Sequence, residues 1–154
     1  MTHPLSSFEV NAELSDGRDP QSHELATILL RFHDPYFNDP APRALYLGED
    51  EEILEAVAVK LQEFADKRLH GVKVQGKTVQ RGSLELIYLL QASVPVFIFF
   101  TKYTDFRDGF QAFVADVEMG ADVIIEALTD VYKRIKARHK NEEEGRTEQE
   151  IKRG

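Results

Sequence analysis

The chain has 154 residues, 42% hydrophobic and 30% charged, the size and composition of one folded domain with a core of its own. It contains no cysteine, which excludes disulfides, thiolate metal centres and cysteine nucleophiles. A net charge of -8 lacks the basic surface that general nucleic-acid binding needs.

Met1 to Ser7 has no basic stretch followed by an apolar run, so no secretory signal is expected, and together with the missing cysteine this points to the cytoplasm. From Ser7 to Leu14, Phe8, Val10, Ala12 and Leu14 alternate with Glu9, Asn11 and Glu13, the period of a half-buried strand. Ser15 to Pro20 is a turn cluster. Asp19-Pro20 then reads as a helix start, and Leu25, Ile28, Leu29 and Phe32 follow helical spacing, which predicts a helix from about Pro20 to His33. A strand is the competing reading over Ala26 to Leu30. Asp34 to Pro42 contains three prolines and is read as a loop, with Tyr36 and Phe37 as packing plugs. Ala44 to Leu47 is a short strand candidate.

Glu49 to Glu52 opens the clearest helix, whose apolar stripe is Ile53, Leu54, Val57, Leu61, Phe64 and Ala65. Acids at its start and Lys67-Arg68 at its end suit the helix dipole, and Gly71 is the expected stop. Val72 and Val74 begin a second β region, with a turn at Gly76 or Arg81-Gly82. In Ser83 to Gln91, Leu84, Leu86, Tyr88 and Leu90 share one face while Ile87 and Leu89 take the other, the pattern of a central strand. Beyond Pro95, the residues Phe99, Tyr103, Phe106, Phe110, Phe113, Val117, Ile124, Leu128, Val131 and Ile135 step mostly by three and four. Such a run makes a helical region of about forty residues, about 60 Å long at 1.5 Å per residue, with Thr104-Asp105 and Gly120 as possible breaks. The charged tail 140–154 has no apolar stripe and is expected to fray or be disordered. The fold class is therefore α+β over residues 1–139: a small antiparallel or mixed sheet packed by helices, with a long C-terminal amphipathic helical region.

The chemistry-bearing clusters are sparse. His33-Asp34, beside the proline-rich loop, is the His–carboxylate neighbour pair worth noting, but adjacent side chains seldom converge and no third ligand is identifiable. Glu49 to Glu52 could hold a divalent cation, although helix capping accounts for it more simply. Asp105, Asp108, Asp116 and Glu118 read as a solvated helix face rather than an acid/base pair. No phosphate-binding glycine loop is present. The basic run Lys133 to Lys140 is read as a helix C-terminus in preference to an anion-binding patch. No catalytic, metal or cofactor site is expected. Val94 to Phe100 is apolar on every side and must meet core, a second subunit or lipid; a buried strand feeding a helix is preferred to a membrane span.

The order strand, helix, strand hairpin, with Arg81-Gly82-Ser83-Leu84-Glu85-Leu86 entering a long apolar strand before a helix, resembles the N-terminal domain of the death-receptor adaptor TRADD. Similar domains are attributed to bacterial conflict systems. The resemblance covers roughly Ser7 to Lys133, and the segment from Pro20 to Leu47 and the long last helix depart from it. It implies a non-enzymatic adaptor or assembly domain in a defence or signalling complex. The residues themselves point the same way: Phe99, Tyr103, Phe106, Phe110 and Phe113, continuing through Val117, Ile124, Leu128 and Val131, are more apolar surface than a small sheet needs. They are the expected interaction surface, for a homo-oligomer or another protein. The alternatives are a ligand sensor or enzyme with its site near the 33–42 loop, and a peripheral membrane protein using 94–100.

Overall fold

A computed structural model describes residues 8–15, 21–38, 49–80, 83–93 and 103–153, with side chains for all of these but 35, 38, 103, 104 and 142–153. The elements run β1 (Phe8–Leu14), β2 (Glu24–Phe32), the single turn α1 (Pro35–Asn38), α2 (Asp50–Arg68), β3 (Val72–Gln80), β4 (Leu84–Ala92), α3 (Tyr103–Met119) and α4 (Ala121–Arg153). The expected turn at 16–20, the strand at Ala44 to Leu47, the Arg81-Gly82 turn and the apolar segment Val94 to Phe100 lie outside the described residues.

The four strands form one antiparallel sheet in the order β1-β2-β4-β3, an α+β fold with helices on one face. β4 is central, as its two apolar faces imply, and Leu84, Leu86, Tyr88 and Leu90 are all fully buried. β2 corrects the helix expected from Pro20 to His33. Leu25, Ile28, Leu29 and Phe32 suit a helix, but Ala26, Ile28, Leu30 and Phe32 suit period two equally well. Non-local pairing decides the matter: β2 is bonded to β1 on one side and β4 on the other, which a helix could not be.

The helix-covered face carries Val10, Ile28, Tyr88 and Val74 and their neighbours at period two. α2 lies over β3 and also packs against α3 and α4. It ends where the Leu69 N–H bonds the Ala65 carbonyl, and Gly71 then takes φ +68°, a conformation that favours glycine. Phe37 is the plug expected of the loop: it is 1% exposed and meets Phe32 and Tyr132 edge-on at 5.8 and 5.2 Å. Tyr36, 41% exposed, stands edge-on to Phe37.

The long helical region divides at Gly120. A Cβ there would lie 2.5 Å from the Phe64 ring, so glycine lets α2 approach the α3–α4 corner. The apolar stripe expected to face another subunit is instead spent inside this chain. Phe106, Phe110, Phe113, Val117, Ile124, Leu128 and Val131 all belong to the one hydrophobic core, with exposures from 0% to 9%. The reason is the corner itself: α4 folds back against α2, so the stripe beyond the sheet is covered by a helix of the same chain. Tyr103 lies in α3, and Phe99 lies outside the described residues. The backbone of 140–153 continues α4 as helix, in a stretch rich in glutamate, lysine and arginine, which are good helix formers.

Candidate protein-interaction edge

The sheet has two edge strands, and the structure treats them differently. At β3, the side-chain amide of Gln62 on α2 accepts the Val74 N–H at 2.8 Å and donates to the Val72 carbonyl at 2.9 Å. One glutamine thus satisfies two outward backbone groups, as a neighbouring strand would. A register shift between Gly76 and Thr78 further interrupts this edge. Bulges and side-chain cover are the usual means of closing a sheet edge to foreign strands.

No such cover is present on β1 among the described residues. The Ser15 N–H bonds the Leu25 carbonyl at 2.9 Å, continuing the ladder with β2. Odd-numbered residues of β1 therefore turn their backbone groups towards β2, while Val10, Ala12 and Leu14 turn theirs outward. Beneath this edge runs an open groove of about 600 Å³ between β1 and α3, lined by β1 residues Val10 to Leu14 and by Phe110, Gln111 and Val114. Phe110 forms a closed apolar wall, while Ala12 and Gln111 are exposed and Val10, Leu14 and Val114 half-buried.

The face of the sheet away from the helices, uncovered among the described residues, is mostly polar. Glu9, Arg31 and Glu85 stand opposite one another across three strands. Arg31 bonds Glu85 at 2.7 Å and Glu9 at 3.4 Å. Beside this row lie Leu29 and Ile87, directly paired, and Leu89, all half-buried. Glu13 is exposed and has no ion pair among the described residues.

The other residues singled out by sequence reach separate partners. His33 Nε2 lies 3.4 Å from Glu9, whereas the Asp34 carboxylate accepts the Tyr36 N–H at 2.8 Å, so the pair does not converge. From the acidic run, Glu49 and Glu52 both meet Arg138 of the basic stretch, at 3.2 and 2.6 Å, tying the start of α2 to α4. Asp116 meets Arg68 at 2.7 Å, while Asp108 lies 3.8 Å from Arg107. Hydrogen bonding from Arg68 holds the Asp116 carboxyl below its ordinary range, aided by the charges of Arg68 and Lys67 and opposed by burial. The Tyr88 hydroxyl is pushed well above its ordinary value, first by burial and then by the charge of Glu55. Among the described residues, no group of three or more histidines and carboxylates could hold a metal ion, and no helix is long and apolar enough to cross a membrane.

Period two identifies β1 as a strand but does not reveal its place in the sheet. The alternation of Phe8 to Leu14 was legible; its outward backbone groups were not. Among the described residues, these features define an α+β domain with one sheet face covered, one edge closed and one edge open. No protein-family model, curated protein or solved structure matches the chain.

Proposed function

We propose that this protein is a non-enzymatic interaction domain that binds an extended segment of another protein along β1. The observation that supports this is the contrast between the edges: outward groups of β3 are capped by Gln62, while those of Val10, Ala12 and Leu14 stand over an apolar-walled groove. An added strand would gain main-chain hydrogen bonds from β1 and place alternate side chains in the groove, the arrangement by which sheet edges recognise peptides. An adaptor-like role in a cytoplasmic defence or signalling assembly agrees with the TRADD-type resemblance. This reading moves the interaction surface from the helical stripe to the strand edge.

The test is a photo-crosslinking residue at Gln111, on the groove wall, used in cells. Adducts to another polypeptide should form and should be lost in Ala12→Pro, which removes one outward N–H at an edge position where proline is tolerated. No polypeptide adduct, or adducts indifferent to Ala12→Pro, would show the edge is not the binding surface.

A further inference from the structure

We infer that the occupant of the β1 edge is a strand alternating apolar with basic residues, supplied by a different protein and not by a second copy of this chain. The inference rests on the reading of β1 as an interaction edge and adds the chemistry of its partner. β1 sorts its side chains by face. By strand alternation Val10, Ala12 and Leu14 belong to the helix-covered face and Glu9, Asn11 and Glu13 to the opposite one, with Asn11 and Glu13 also bordering the groove at the strand's edge. A strand laid alongside keeps the same alternation whichever way it runs, so its groove-side residues meet Val10, Ala12, Leu14 and Phe110. Its other residues lie opposite Glu9 and Glu13, where cross-strand opposite charges stabilise and like charges destabilise.

No basic residue lies on β1 itself. Glu9 has two neighbours: Arg31, which is shared with Glu85 and sits closer to it, and the His33 imidazole, whose Nε2 lies 3.4 Å away. Glu13 has no ion pair among the described residues. The groove's helix wall adds little net charge: Arg107, one turn before Gln111, lies near Asp108, and Glu118 lies one turn after Val114. The unmatched charge at this edge is therefore negative.

The same carboxylates disfavour self-pairing. With Val10, Ala12 and Leu14 turned outward, the fully overlapped antiparallel pairing of two β1 strands sets Glu9 of each copy opposite Glu13 of the other. Pairing β1 with β3 of a second copy meets the amide of Gln62, already seated on Val72 and Val74. A chain carrying a net charge of -8 also repels its own copies at long range.

The experiment uses the full chain and three short capped peptides alternating valine with lysine, with glutamate or with threonine, followed by amide and side-chain NMR shifts. The lysine peptide should bind about tenfold more tightly than the glutamate peptide. Its affinity should fall with added salt, and its shifts should centre on Val10, Ala12, Leu14 and Phe110. Glu13→Lys, at an exposed position, should narrow or reverse that preference. Equal binding of all three peptides at β1 would overturn the charge inference and leave the edge reading standing. If no peptide shifts those amides, both fail. Shifts at Val10, Ala12 and Leu14 that change on dilution of the protein alone would make a second copy the occupant and overturn the inference.

Discussion

The Tyr88 hydroxyl, at the centre of β4, donates to the Leu54 carbonyl of α2 at 2.8 Å. This bond crosses the sheet–helix interface at a point where the tyrosine is 0% exposed. It fixes the register of α2 over the sheet by a polar contact within an otherwise apolar layer, and gives the buried hydroxyl the partner it needs.

Tyr88→Phe should therefore lower stability by about 1 kcal/mol, the net value of one such hydrogen bond, in chemical denaturation. The ionisation of Tyr88 carries a sign of its own. Its folded value is raised above the ordinary 10.0, so its contribution is complete below that pH and is lost as pH rises further. The tyrosinate absorbance of this residue should appear only as the protein unfolds in alkali. A normal titration in the folded state would show the hydroxyl to be accessible.

Leu86 and Ile124 are both fully buried, one on β4 and the other on α4. Leu86→Ala should cost about 2–5 kcal/mol, as buried leucine truncations do. Ile124→Asp buries an unpaired carboxylate and should exceed about 4 kcal/mol, unfolding a marginal domain rather than merely separating subunits. A folded Ile124→Asp variant with altered oligomeric state would place this stripe at an interface after all.

The Arg68–Asp116 pair joins the last turn of α2 to α3. Because the folded Asp116 value lies below the ordinary 3.8, its contribution is present above that pH and is lost as pH falls through the folded value. The stability gap between wild type and Asp116→Asn should be constant around neutral pH and close only as the pH falls below the ordinary 3.8 and through the folded value. A gap independent of pH would mean that the aspartate acts through shape and not charge.

Gln62 makes the closed edge testable in the same protein. Gln62→Ala should cost about 1 kcal/mol and expose the outward groups of Val72 and Val74 to other chains. Gln62→Glu keeps the acceptor for Val74 and removes the donor to Val72, so it should destabilise at neutral pH and recover on acidification as the carboxyl gains a proton. Light scattering at rising concentration should show more association for Gln62→Ala than for wild type. Unchanged behaviour would mean that the bulge at Gly76/Thr78 protects β3 without help.

Much was legible from the residues alone. The alternation of Phe8 to Leu14, the two apolar faces of Leu84 to Leu90, the stripe and charge order of α2, and the stop at Gly71 are local patterns with local causes: side-chain period, helix dipole and backbone freedom. These features determine that the chain is α+β and which residues are buried. Tertiary structure decided the rest. Ala26 to Phe32 satisfies two periods, and only the strands on either side of it select one. The stripe from Phe106 to Val131 had to be covered, but periodicity cannot say whether by another subunit or by α2 of the same chain. Edge and centre look alike in sequence too: among the described residues only β3 is capped, because Gln62, ten residues before Val72, is carried by α2 to its outer backbone. A pattern shows what a side chain needs; its neighbour is set by contacts distant in sequence, whose loop-closure and ordering costs are met only when the whole sheet and its helices form together.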